Sequence, residues 1–336
     1  MKQLLIKRFN TDLVVRRITE YMKSCLKNDF DGDLLEKAEY ALSLAAPHRE
    51  KSYLLFAVGE SLNINKESLW PLAITSELIM VAALTADDVF DKSLKREGKI
   101  SLYASVGADK TFLVSEFMFA VAIKSLFEFR KINQNVSFDI LEKIINSFLE
   151  AYLAIQKAQY WLLIHDRENL LKLTPSVMDE INRLGLGLLF GITLSAPALL
   201  IGDNKQANIL DNVGKILGSG LQHSNDIADF IWGEDDLGRI GFEDLLNGQP
   251  NLVMAYMNQN IRINKADRDY LLNIWTRYNQ ENFDREKVKR IIVKSSVIEE
   301  SQKHLMNLLA QVDNEINLLD EKLQKIIREI FSLIKQ

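Results

Sequence analysis

Cysteine occurs once in the 336 residues, at Cys25. An internal disulfide framework is excluded, and the chain suits a reducing compartment. Five prolines and fifteen glycines are too few for an all-β architecture with its frequent turns. Excess positive charge is also missing. The 41 basic and 46 acidic side chains give a formal net charge of −5, which argues against nucleic acid as the main partner. Long uninterrupted apolar runs are lacking too: residues 71–86 contain Glu77 and run into aspartates, while 184–202 is broken by Gly185, Gly187, Gly191 and Pro197. Both read as core helices, so no stable membrane insertion is expected. The N-terminal MKQLLIKRFN breaks its apolar run with charge at once, unlike a signal peptide, and a cytoplasmic location is expected.

What is present is helical periodicity. Hydrophobic residues make up 47% of the chain and recur at helical spacing, as in residues 138–164 and 297–334. The expected fold is all-α. Breaks are predicted at 59–68, 131–137, 201–206 and 232–241, none of them a linker by length or composition, so residues 1–336 read as a single helical domain.

Two acidic clusters interrupt this pattern. In ALTADDVFDKSLKREGK (83–99), Asp87 and Asp91 stand one helical turn apart with Asp88 beside them. Two such charges about 4 Å apart repel by roughly 4 kcal/mol at an effective dielectric of 20, so a cation or bulk water must compensate them. In GLQHSNDIADF (220–230), Asn225 and Asp229 repeat the one-turn spacing around Asp226. Gly214, Gly218, Ser219 and Gly220 precede them and would admit a close helix or ligand. One acidic cluster is most simply a solvated face. Two of them, each ending an apolar helix, suit hard divalent cations that share carboxylate oxygens with a diphosphate. His165, His223 and His304 are isolated in sequence, with no second ligand at metal spacing, and read as ordinary polar residues.

DDVFD (87–91) with Arg96, and QHSNDIADF (222–230) followed by GRIGFEDLLNGQPN (238–251), resemble the two aspartate-rich regions of the trans-isoprenyl diphosphate synthase (polyprenyl synthetase) superfamily. The resemblance implies a helical bundle of the isoprenoid synthase type with a central apolar cavity. It further implies Mg²⁺, three ions, held by Asp87, Asp88, Asp91, Asn225, Asp226 and Asp229, an allylic prenyl diphosphate substrate contacted by Arg96, Gln222, Arg239 and Gln159, and a homodimer. Of these, Asp87, Asp88, Asp91, Arg96 and Asp226 carry the catalytic expectation. Ala82 and Ala83 stand where bulky side chains would floor the cavity, which implies substrates of C15 to C25. Tyr160 and Trp161 are candidates to face a carbocation, or ordinary packing aromatics.

The chain departs from the family where isopentenyl diphosphate (IPP) would bind. PHREKS (47–52) puts His48 and Lys51 at a lysine and an arginine position and keeps Arg49, Met80 replaces a histidine, and Glu97 replaces an arginine. RLGLGLLF (183–190) lacks the family's Lys-Thr pair at Gly185 and Leu186. Ionisation groups beside an altered IPP pocket resemble the terpene-synthase-like (class IB) members, so the leading expectation is a class I terpene synthase, a diphosphate lyase. The alternatives are a prenyltransferase elongating an allylic diphosphate with IPP, and a non-catalytic subunit of such a synthase.

Overall fold

The computed structural model describes residues 11–26, 32–44, 49–163, 170–231, 241–277 and 283–334. Their contacts divide the chain into two compact units: residues 1–153, 188–215 and 314–336 form the first, and residues 154–187 and 216–313 the second. The single-domain expectation is thus drawn more finely.

The first unit opens with α1 (Thr11–Cys25), α2 (Asp33–Leu44), α3 (Glu50–Ser61) and α4 (Lys66–Phe90). Asn65 starts α4 by accepting a hydrogen bond from the Glu67 N–H at 3.0 Å. Almost every side chain of α4 from Leu69 to Ala82 is buried, as befits a helix apolar all round. A hairpin, β1 (Lys95–Arg96) with β2 (Lys99–Ile100), follows. After it come α5 (Leu102–Val106) and α6 (Ala108–Ile132), whose last residues carry Arg130 and Lys131 at the negative helix end.

α6 is fastened along α4 by hydroxyls. Ser125 donates to the Pro71 carbonyl at 2.8 Å and lies 2.6 Å from the Thr75 hydroxyl, and Ser115 donates to the Ala82 carbonyl at 2.8 Å. Pro71 lies in the second turn of α4, and its own carbonyl accepts from both Thr75, at 2.9 Å, and Ser125.

α7 (Phe138–Leu162) contributes to both units. The second unit then holds α8 (Pro175–Asn182), started by the Thr174 side chain, and a π-helical turn at Arg183–Gly187. α9 (Leu188–Leu200) belongs to the first unit, and α10 (Asn204–Ile231) to both. The remaining helices of the second unit are α11 (Glu243–Asn247), α12 (Leu252–Gln259), α13 (Lys265–Arg277), α14 (Arg285–Ser295) and most of α15 (Val297–Ile316). α16 (Glu321–Ile334) returns to the first unit. At the surface, its Lys322 donates to the Glu60 carbonyl at 3.1 Å.

The glycines before the second acidic cluster admit helices. A Cβ at Gly214 would stand 2.4 Å from the Phe190 carbonyl oxygen in the first unit. In the second unit, one at Gly218 would stand 2.7 Å from that of Leu186. Backbone therefore lies on backbone at both places, which only glycine allows.

The predicted breaks at 59–68, 131–137 and 201–206 coincide with observed helix ends, while that at 232–241 falls almost wholly outside the described residues. Two differences stand out. The periodic stretch 297–334 is two helices interrupted at 317–320, where Gln324 and Arg328 turn back to bond Leu319 and Asn317. The hairpin at 95–100 is a small exception to an otherwise all-α fold. Two helical segments, 66–90 and 175–200, are long and apolar enough to cross a membrane, yet 89% and 72% of their apolar windows are buried within the protein.

Candidate active site

In the first unit, α4 delivers the first acidic cluster. Asp88 is 2% exposed, Asp87 is half-buried, and Asp91 caps the helix C-terminus through its backbone. The chain then reverses through Glu97 (φ 49°) and Gly98 (φ 75°), both left-handed, the geometry of a two-residue hairpin turn. That reversal brings Arg96 back onto the helix end. Its Nε donates to Asp88 Oδ1 at 2.8 Å, and the guanidinium reaches Asp87 at 3.7 Å. Burial alone would lower the arginine pKa, but Asp88, then Asp87 and Asp91, more than offset it and raise it. Arg96 thus supplies one of the positive charges that the three aspartates demand.

Around the position expected to bind IPP, the first unit is closed. Arg49, left-handed at φ 53° and 1% exposed, lies 3.8 Å from the fully buried Glu77 and donates to the Leu42 carbonyl. Glu77 in turn accepts the Ser52 N–H at 2.8 Å. Burial lowers the Arg49 pKa in spite of Glu77. Lys51 is buried with its ammonium 5.0 Å from the Phe190 ring centre, and Met80 is 4% exposed. Glu97 sits exposed at the hairpin tip. Ala82 is buried at 1% exposure, its carbonyl accepting from Ser115 of α6, while Ala83 is half-buried.

In the second unit, α10 carries the second cluster, and the segment after it supplies donors. Asp229 accepts the Glu243 N–H at 3.0 Å and the Asp244 N–H at 3.3 Å, capping α11. Asp226, 3% exposed, accepts the Leu252 N–H at 3.0 Å and the Gln222 amide at 3.2 Å. Asn251 starts α12 and donates to Asp244 at 2.8 Å. The FEDLLNGQPN run is thereby explained: its backbone fixes both carboxylates of the preceding helix. Asn225 faces outward and is exposed. Each set presents hard oxygen donors, several of them buried, and both fit Mg²⁺ as a class of ligand.

Gln159 has a buried amide nitrogen with no protein partner, a polar atom left for a ligand or water. Trp161 packs half-buried against the core of the second unit. Tyr160, by contrast, is 74% exposed, so its ring lies in solvent rather than in a water-excluding cavity. His48, His165 and Arg239 lie outside the described residues.

The isolation of His223 and His304 does not survive folding. Both Nε2 atoms lie 2.8 Å from Asp179 Oδ1. His223 is fully buried, and its Nδ1 lies 3.1 Å from the Asn182 amide and 3.8 Å from Asp226 Oδ2. Burial opposes its protonation, but Asp179 and Asp226 outweigh that and push its pKa up to about 9. Asp179 is held well below the usual carboxylate range, since its bonds to the two imidazoles overcome its own partial burial. Sequence spacing cannot reveal this convergence, because the three residues come from three helices up to 125 positions apart.

The fold is shared with solved prenyl diphosphate synthases. Geranylgeranyl pyrophosphate synthetase from Pyrococcus horikoshii superposes with a TM-score of 0.81 at 18% identity, over 96% of this chain and 94% of that one. A Caulobacter crescentus polyprenyl synthase, solved with calcium and isoprenyl diphosphate, gives 0.79 at 22% identity, over 94% and 91%. The polyprenyl synthetase family model matches residues 34–294, and the chain belongs to that family. Among curated relatives, geranylgeranyl diphosphate synthase of Methanosarcina mazei is 26% identical over 223 residues, 66% of either chain. Heptaprenyl diphosphate synthase component 2 of Bacillus subtilis is 25% identical over 250 residues, 74% of this chain and 67% of that one. The relatives are named as synthases, which favours the prenyltransferase alternative over the terpene-synthase expectation.

Proposed function

We propose that the protein is a trans-prenyl diphosphate synthase that joins an allylic prenyl diphosphate to IPP. Family membership and the names of the relatives support this reading. The observation that carries it is the end of α4, where three aspartates and Arg96 gather around the buried Asp88. Asp87, Asp88 and Asp91 in the first unit, and Asp226, Asp229 and Asn225 in the second, would hold Mg²⁺. A divalent cation held by these residues would supply positive charge to the leaving diphosphate. The allylic C–O bond breaks with its electron pair going to pyrophosphate. The C4 alkene carbon of IPP then attacks the cation, and the released pyrophosphate takes up the C2 proton that restores the double bond. Arg96 moves from carboxylate to phosphate oxygens, a bidentate partner suited to either. Asp226 and Asp229 are oriented in advance by backbone N–H groups, which limits reorganisation on ligand binding.

One observation favours a second reading, diphosphate loss without IPP. Arg49 is committed to Glu77 and to a backbone carbonyl, and Met80 and Glu97 offer no cation. The test is incubation with radiolabelled IPP, Mg²⁺ and allylic diphosphates of C10 to C25. Label in a longer prenyl diphosphate supports the synthase. Unlabelled hydrocarbon or alcohol with released pyrophosphate overturns it in favour of the lyase.

A further inference from the structure

We infer that Asp179, His223 and His304 form a binding site for a zinc-class transition-metal ion, separate in chemistry from the magnesium carboxylates. One oxygen and two imidazole nitrogens converge there from α8, α10 and α15, all three ligand atoms lying within 4.8 Å of one another. Imidazole with a single carboxylate is a donor set for Zn²⁺, not for Mg²⁺, which prefers oxygen alone.

The geometry supports a metal beyond mere proximity. Two imidazoles bound through Nε2 to a tetrahedral zinc have ring centres about 5 Å apart. Those of His223 and His304 are 5.4 Å apart with planes inclined at 82°. Each nitrogen now lies 2.8 Å from Asp179 Oδ1; the ligand atoms of a tetrahedral zinc stand roughly 3.3 Å apart, so both pairs would open by about 0.5 Å on binding.

The supporting shell is also built. His304 Nδ1 lies 3.1 Å from the Tyr256 hydroxyl, and His223 Nδ1 lies 3.1 Å from the Asn182 amide. The amide, turned over, presents its oxygen to an Nδ1–H, as a metal-bound histidine requires. Access is from one side only: His223 is fully buried, while the side chains of Asp179 and His304 are 37% and 20% exposed. A fourth position is left for water or another ligand. The ion would clamp α8 and α15 to the stretch of α10 that carries Asp226, making the site a structural staple behind the second acidic cluster.

The test uses the full chain, stripped with chelator and dialysed, then titrated with Zn²⁺ in millimolar Mg²⁺ by calorimetry, with Co²⁺ as a spectroscopic probe. The expected result is one Zn²⁺ per chain and the visible absorption of tetrahedral Co²⁺. The variant pair Asp179→Asn with His304→Gln should lose both, with at least about 100-fold weaker zinc binding. Tyr256→Phe, which leaves the ligands in place, should weaken binding by roughly tenfold. Circular dichroism checks that the variants remain folded. Absence of stoichiometric zinc in the wild type, or equal binding by the ligand-deleted and wild-type chains, would overturn the assignment. None of these readouts depends on prenyl transfer.

Discussion

Glu97 shows how one residue can serve a site through its backbone. Its left-handed conformation at φ 49° turns the hairpin that returns Arg96 to Asp88. An L-residue there carries a cost that glycine lacks. Glu97→Gly is therefore expected to raise stability by about 1 kcal/mol in urea unfolding while the Arg96–Asp88 pair persists. A loss of stability would show that the glutamate side chain contributes more than the strain costs. The two alanines before the first cluster separate in the same way. Ala82 is fully buried and Ala83 is half-buried. Ala82→Phe should overpack the core and cost about 1–3 kcal/mol. Ala83→Phe should leave the protein folded and shift the preferred allylic substrate to a shorter chain, read by comparing turnover on C10, C15 and C20 diphosphates. An unchanged profile would place the chain-length limit elsewhere.

Among the elements, α10 does most to bring the second cluster into order, and glycine is what lets it lie where it does. Gly218→Ala places a Cβ 2.7 Å from a backbone oxygen, and backbone yields far less readily than a side chain. A destabilisation of about 1–3 kcal/mol is expected, measured as a lower denaturant midpoint with unchanged slope. Asp229→Ala removes the cap of α11 and should cost about 1 kcal/mol on top of any loss of activity; no change in stability would mean that α11 is held by its packing alone. Helices such as 66–90 and 138–162 are legible in the sequence because apolar period and burial agree. The acidic clusters are legible too, because like charges at the end of an apolar helix must be met by solvent or by a cation. The hairpin is not, since two strands of two residues have no period to read. The same holds for the packed state of Ala82, the solvent exposure of Tyr160 and the meeting of His223 with His304, all of which depend on neighbours distant in sequence.

For the molecule as a whole, the family and the fold are those expected from the two aspartate-rich regions, and the sequence departs from the family pattern at His48, Lys51, Met80 and Glu97 on the IPP side and at Gly185, Leu186 and Asn225 elsewhere. On the proposed reading, the aspartates and Arg96 would serve the leaving diphosphate, and the acceptor side is where the chain departs most. The most direct test of the central claim is pyrophosphate release from an allylic diphosphate in the presence of IPP, followed as Mg²⁺ is titrated into wild type and Asp88→Asn. Removing one acidic ligand should lower turnover by at least about 100-fold without unfolding the chain, because charge stabilisation of the departing group is lost. No release is expected in EDTA, with full recovery on adding Mg²⁺ and that deficit in the variant. Release that persists without divalent cation, or that is equal in Asp88→Asn, would contradict it.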